Sequence, residues 1–173
     1  MRFAHLIRPG GSVLDLACGS GRHLRWLAAR GHALTGVDRD AQALEPLRAL
    51  GEVIVADIEA GPWPLAGRRF DAVIVTNYLW RSLLPLVQSS LAEGGVLIYE
   101  TFALGNEQFG KPSNPDFLLR SRELPSAFAA LQWVAYEEGI EADTPRCVQR
   151  LVAVKAPAAA PIPPLYRLHG DGG

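Results

Sequence analysis

The sequence predicts an α/β fold in which a mostly parallel sheet carries helices on both faces. Three observations predict it. Short β-branched runs alternate with longer stretches rich in Ala, Leu and Arg. The run at 70–76 is almost wholly apolar, as a parallel strand covered on both faces must be. The apolar run Val13-Leu14-Asp15-Leu16 passes through the small-residue turn Ala17-Cys18-Gly19-Ser20-Gly21 into a helical stretch, which is the start of a βαβ unit.

In chain order, a first strand is expected at 12–17. The helix at 21–30 follows, with Leu24, Leu27 and Ala28 on one face and Gly31 as its stop. A second strand at 33–37 precedes a helix at 40–50, where Pro46 is expected to kink or shorten the helix and Gly51 to end it. The third strand is 52–56, and Gly61-Pro62-Trp63-Pro64 marks an irregular connection in place of a full helix. After the central strand at 70–76, a helical pattern over 80–92 is interrupted by Pro85. It gives way at Glu93-Gly94-Gly95 to a fifth strand at 96–101. A long Gly-, Asn- and Pro-rich loop covers 102–118, then a helix at 123–130. Two final strands, 133–138 and 147–155, flank a turn at Asp143-Thr144-Pro145.

Bulk properties bound the function. A chain of 173 residues fits one domain, here expected over 1–155. The Ala/Pro-rich remainder, 156–173, reads as a flexible tail; the sharper alternative is that Leu165 or Tyr166 docks on a partner. A formal net charge of −1 indicates no general attraction for phosphate backbones, so no nucleic-acid partner is expected. Two cysteines, Cys18 and Cys147, form neither a disulfide framework nor a C-x-x-C zinc pair, which suits a reducing compartment. Arg2, His5 and Arg8 break the apolar start and no run is long enough to cross a bilayer, so a cytoplasmic protein without a membrane partner is expected. His23 and His32 read as ordinary polar residues on or beside the first helix, His5 and His169 fall near mobile ends, and no metal spacing connects the four.

The turn after the first strand carries the chemistry. Gly19 and Gly21 lack Cβ atoms, so a bulky group can approach main-chain N–H groups there. Asp38, at the end of the next strand, stands where ribose hydroxyls are gripped. Leu24 occupies the third-glycine position of the dinucleotide pattern G-x-G-x-x-G. Asp15 would repel a pyrophosphate but could anchor an ammonium group. A nucleoside cofactor other than NAD is therefore expected. An aspartate at a strand end is often only a helix cap and a glycine pair only a turn. The joint order Asp15, Gly19, Gly21, Asp38, Asp57 on successive strand ends is harder to obtain that way.

With these pieces in this order, residues 12–155 resemble the class I S-adenosylmethionine (SAM)-dependent methyltransferases. The motifs Asp-Leu-Ala-Cys-Gly-Ser-Gly-Arg and Glu-Thr-Phe are similar to those of bacterial small-molecule enzymes of the tellurite-resistance (TehB-like) type. The resemblance implies a Rossmann-like seven-stranded sheet in the order 3-2-1-4-5-7-6, with the last strand antiparallel. It implies SAM held by Asp15, Ala17, Cys18, Gly19, Gly21, Arg22, Asp38, Arg39, Asp57, Ile58 and Asn77. Asp38 would take the ribose, Asp57 the adenine amino group, and Ile58 would face the ring. Ala17 departs from the family at the first glycine of its usual pattern.

Asn77 and Tyr78 fall where the methionine end and the acceptor meet, and are the expected positioning residues. The acceptor pocket is expected from Tyr78, Trp80, Arg81, Glu100, Phe102, Asn106, Phe109 and Asn114, a mixture that suits a modest, partly polar small molecule. Trp80 and Phe109 could equally pack the loop down. If a general base is needed, Tyr78, Glu100 or a histidine would supply it. A non-catalytic SAM-binding protein is the rival reading, and a monomer or homodimer the expected state. Similar enzymes carry an extra N-terminal helix over the cofactor, whereas only about a dozen residues here precede the first strand. An upstream start, a lid from another subunit and an open site are the three expectations.

Overall fold

The structure, a computed structural model, describes residues 2–157 and 165–169. Seven strands form one sheet: β1 (Ser12–Leu16), β2 (Ala33–Asp38), β3 (Glu52–Val55), β4 (Phe70–Thr76), β5 (Leu91–Phe102), β6 (Gln132–Glu141) and β7 (Arg146–Val154). Their spatial order is β3-β2-β1-β4-β5-β7-β6. β1 to β5 run parallel, while β7 is antiparallel to both β5 and β6. This is the order the family resemblance implied.

Alternation along the strands divides the core into two layers. Val13, Ala72, Ile74, Val96, Val152 and Val154 face one side, where α1 (Arg22–Ala28) packs Leu24 and Leu27, and α2 (Ala41–Leu44) packs Leu44. Leu14, Leu16, Val73, Val75, Leu97 and Leu151 face the other, beside α3 (Leu84–Ser89) and α4 (Glu123–Ala127). Each fully buried Leu or Val contributes about 1.5–3 kcal/mol by leaving water. The helix α1 lies close on β2 because position 36 has no side chain. A Cβ on Gly36 would stand 2.7 Å from Leu24 Cδ1 and 3.1 Å from Cys18 Sγ.

Helices are shorter than their apolar patterns suggest. The first begins at Arg22, because Gly21 is its N-cap at φ 74, and ends at Ala28 rather than residue 30. In the second, the Asp40 side chain caps the N-terminus. Four residues of α-helix then tighten into a 3₁₀ turn over Glu45–Leu47, which contains Pro46. The pattern over 80–92 resolves into a 3₁₀ turn at Arg81–Leu83 and α3. Leu91 and Ala92 already belong to β5, which pairs Phe70 with Leu91 before a register shift. The helix expected to reach residue 130 stops at Ala127.

The expected tail is described only in part: 158–164 and 170–173 lie outside the described residues. Leu165 is exposed. Tyr166 packs against the α1-side core, and His5 Nε2 lies 2.9 Å from the Arg167 carbonyl oxygen, so this stretch docks on its own chain. Among the described residues no helix is long and apolar enough to cross a membrane, and no cluster of metal-ligating side chains occurs.

Candidate active site

The turn between β1 and α1 is built by backbone that few residue types tolerate. Ala17 sits at φ 53, Gly19 at φ 51 and Gly21 at φ 74. Nothing lies within 4 Å of where a Gly19 Cβ would stand, so the main chain there is open to approach. A Cβ on Gly21 would strike Leu47 at 2.5 Å. Ala17 therefore holds a left-handed conformation that glycine adopts without steric cost, which is what its departure from the family pattern entails.

Beneath the turn, Asp15 is 1 % exposed, and neither of its carboxylate oxygens has a hydrogen-bond partner. Burial lifts its pKa to about 7, Arg22 opposes the lift and Asp38 adds to it. A buried acid left unsatisfied is costly unless a ligand completes it. Asp38 secures the turn from the tip of β2: one oxygen accepts the Gly19 N–H at 2.8 Å and the other the Asp40 N–H at 3.0 Å. At the tip of β3, Asp57 Oδ1 accepts the N–H groups of Glu59 and Ala60 at 2.9 and 3.1 Å, which holds its carboxyl below the usual range. Ala17, Asp38, Arg39, Asp57, Ile58 and Tyr78 line a cavity of about 180 Å³ around these acids. The Tyr78 hydroxyl is buried without a hydrogen-bond partner. Burial, with the neighbouring Glu59 carboxylate, raises its pKa above the ordinary phenol value. Its phenol is thus held neutral near pH 7.

A larger groove of about 590 Å³ lies between α1 and the sheet. Its floor is two rows of side chains fixed by strand register. One row is Ile74, Ile98, Val152 and Ala135, neighbours across β4, β5, β7 and β6; the other, two residues nearer the strand ends, is Thr76, Glu100, Arg150 and Glu137. Phe3 and Trp26 contribute apolar wall, and Arg22, His23 and Arg146 gather at the polar end. Glu100 accepts from Arg146 at 2.9 Å and from Arg150 at 2.5 Å; Glu141 bonds both arginines as well. Burial and the adjacent Arg22 lower the His23 pKa, so its imidazole is neutral at pH 7, 3.3 Å from the Thr76 hydroxyl.

Asn77 stands between the two openings, since Thr76 lines the groove and Tyr78 the cavity. Asn77 adopts φ 54, donates its N–H to the Glu100 carbonyl at 2.9 Å and accepts from Arg146 Nη1 at 3.3 Å. Of the expected acceptor residues, Glu100 lines the groove, and Phe102 lies with its ring centroid 6.0 Å from the Arg146 guanidinium. Trp80 packs against the core and Phe109 is largely exposed. Three others line neither opening, because their polar groups hold the 102–118 loop. Arg81 pairs with Glu123 at 2.6 Å and donates to the Asp116 and Leu118 carbonyls. Asn106 bonds Pro112 O and Cys147 N–H, and Asn114 caps Asp116 N–H.

Sequence reasoning read His23 as an ordinary polar residue and did not single out Arg146 or Arg150. The spacing of Arg146 and Arg150 on one face of a mostly apolar strand was the available signal. Burial, with Asp15 and Asp38 nearby, pushes the Cys18 thiol up to about 12.

Residues 13–95 match a family model described as a methyltransferase domain. Among curated relatives, a tRNA U34 carboxymethyltransferase of Klebsiella pneumoniae is 29% identical over 140 residues, covering 72% of this chain and 42% of that protein. A malonyl-[acyl-carrier protein] O-methyltransferase of Serratia marcescens is 32% identical over 109 residues, covering 58% of this chain and 42% of that protein. The chain thus spans less than half the length of these relatives. Among solved structures, TehB from Haemophilus influenzae superposes with a TM-score of 0.73 at 20% identity, covering 88% of this chain and 59% of that one. A SAM-dependent methyltransferase from Mesorhizobium loti gives a TM-score of 0.66 at 16% identity, covering 86% of this chain and 92% of that one.

Proposed function

We propose that this chain, whose residues 13–95 match a methyltransferase-domain model and whose sheet superposes on that of TehB, is a class I SAM-dependent methyltransferase that binds SAM at the β1–α1 turn and methylates a small-molecule acceptor. The observation that carries the reading is Asp15, a buried acid without a partner beneath an open glycine turn, with Asp38 and Asp57 on the next two strand tips.

The residues present suit the cofactor. Asp15 would take the ammonium group, directly or through water; Asp38 the ribose hydroxyls; Asp57 the adenine amino group, with Ile58 against the ring. When bound, SAM supplies a methyl already activated by its sulfonium, so no protein nucleophile is required. The protein's task is alignment and exclusion of water. Asn77, fixed by Glu100 and Arg146, positions the partners where the two openings adjoin.

The groove supports the small-molecule part of the reading, since its size lies within the usual ligand range. A tRNA acceptor, suggested by the name of one relative, would call for a basic surface that a formal net charge of −1 does not supply.

Thermal unfolding tests the donor site. S-adenosylhomocysteine at about a hundred times its Kd should stabilise the native state by about 2.7 kcal/mol, whereas NAD should not. Asp38→Ala should weaken that ligand about tenfold or more. A full shift in the variant, or one produced equally by NAD, would refute the assignment.

A further inference from the structure

We propose that the groove between α1 and the β4-β5-β7-β6 face is the acceptor's site, and that the acceptor is an amphiphilic carboxylate lying along it with its charged end among Arg22, His23 and Arg146. The proposal rests on the methyl-donor reading above, which fixes the end of the groove where transfer takes place. The two floor rows dictate the shape of the ligand. Ile74, Ile98, Val152 and Ala135 offer four aliphatic contacts side by side and no polar group, so the deeper part of the molecule is apolar. The row from Thr76 to Glu137 is polar throughout and borders the strand ends, next to Asn77 and the donor cavity.

Charge dictates the head group. The lining carries four arginines against three glutamates. Arg2 pairs with Glu137, and Arg146 and Arg150 share Glu100 and Glu141. Arg22 has no carboxylate within ion-pair distance among the described residues, and the neutral His23 beside it adds no positive charge. The charge of Arg22 also reaches the buried Asp15, but that acid keeps its proton up to about pH 7, so the excess of arginine over glutamate leaves net positive charge at the polar end, where an anion is favoured and an ammonium is opposed.

A carboxylate also suits the chemistry. Its oxygen forms the new C–O bond to the methyl carbon as the carbon–sulfur bond of the methyl sulfonium breaks. The bonding pair stays on sulfur as a neutral thioether, and the acceptor becomes a methyl ester. No proton moves, so neither the neutral Tyr78 nor the doubly paired Glu100 has to act as a base.

Isoleucine δ1-methyl spectra of the whole protein separate this proposal from the donor reading, because Ile74 and Ile98 floor the groove whereas Ile58 lines the donor cavity. Octanoate should move the Ile74 and Ile98 signals and leave Ile58 in place, with octanol and octylamine binding about tenfold more weakly. Ala135→Phe, which plugs the apolar row, and Arg146→Gln should each weaken octanoate by a similar factor, while S-adenosylhomocysteine still moves Ile58. Octanoate leaving Ile74 and Ile98 unmoved, or octylamine binding as tightly, would overturn the proposal. Ile58 unmoved by S-adenosylhomocysteine would sink the donor reading, and with it the transfer role of the groove.

Discussion

Asp15 holds its proton up to about pH 7 because burial outweighs the pull of Arg22. The sign of the linkage follows. The folded-state pKa lies above the ordinary 3.8, so the native form binds the proton more tightly than the unfolded chain does. Stability is therefore lost as pH rises from about 4 to about 7, by about 1.4 kcal/mol for each unit of difference. Asp15→Asn should flatten this slope and be more stable than wild type at pH 8, measured by denaturant unfolding. An ammonium seated on Asp15 favours the carboxylate, so S-adenosylhomocysteine binding at pH 6 should release a proton. Calorimetric enthalpies should then vary with the ionisation heat of the buffer in wild type and not in the variant. The motif was legible in the sequence, since carboxylates and glycines at strand ends are local signals. The isolation of Asp15 and the neutrality of His23 were not, because both arise from neighbours brought together by folding.

At the scale of elements, Asp71 joins two strands remote in sequence. It accepts from Ser12 N–H at 2.7 Å and Ser12 Oγ at 2.8 Å, and pairs with Arg8 at 2.7 Å, tying the start of β1 to β4. These contacts, led by the Arg8 hydrogen bond, hold its pKa at about 2. A depressed acid stabilises above its unfolded pKa, so this contribution is complete above about pH 4 and disappears toward pH 2. Asp71→Ala should cost about 1–3 kcal/mol at pH 7 and much less at pH 2.5, read from urea midpoints. Strands were legible because their period and β-branched content are local: β4 was placed at its true ends. Helix ends were less so: Pro46 was read as the residue that shortens the second helix, but Gly21 as N-cap and the entry of Leu91 into β5 are settled by capping and pairing rather than by apolar period. Loop contacts were hidden for a related reason: Arg81, Asn106 and Asn114 carry the residue types of a binding site, and only folding shows that their donors and acceptors hold the 102–118 loop.

For the molecule as a whole, the described residues near the two termini meet on the α1 side. Phe3 and Tyr166 join the same apolar layer, and His5 meets Arg167. Tyr166→Ala should lower stability by about 1 kcal/mol, seen as a fall in Tm of about 2–4 °C; an unchanged Tm would show that this contact contributes nothing. The strand order came from family resemblance, because periodicity says where strands are and not which of them are neighbours. That order has a consequence during synthesis. Val96 on β5 pairs with Val154 on β7, at the far end of the last strand. While the ribosome is still making the intervening residues, β5 therefore presents a bare row of amides and carbonyls to its surroundings. A nascent chain stalled before β7 is the form most exposed to sticking to its neighbours and to capture by chaperones.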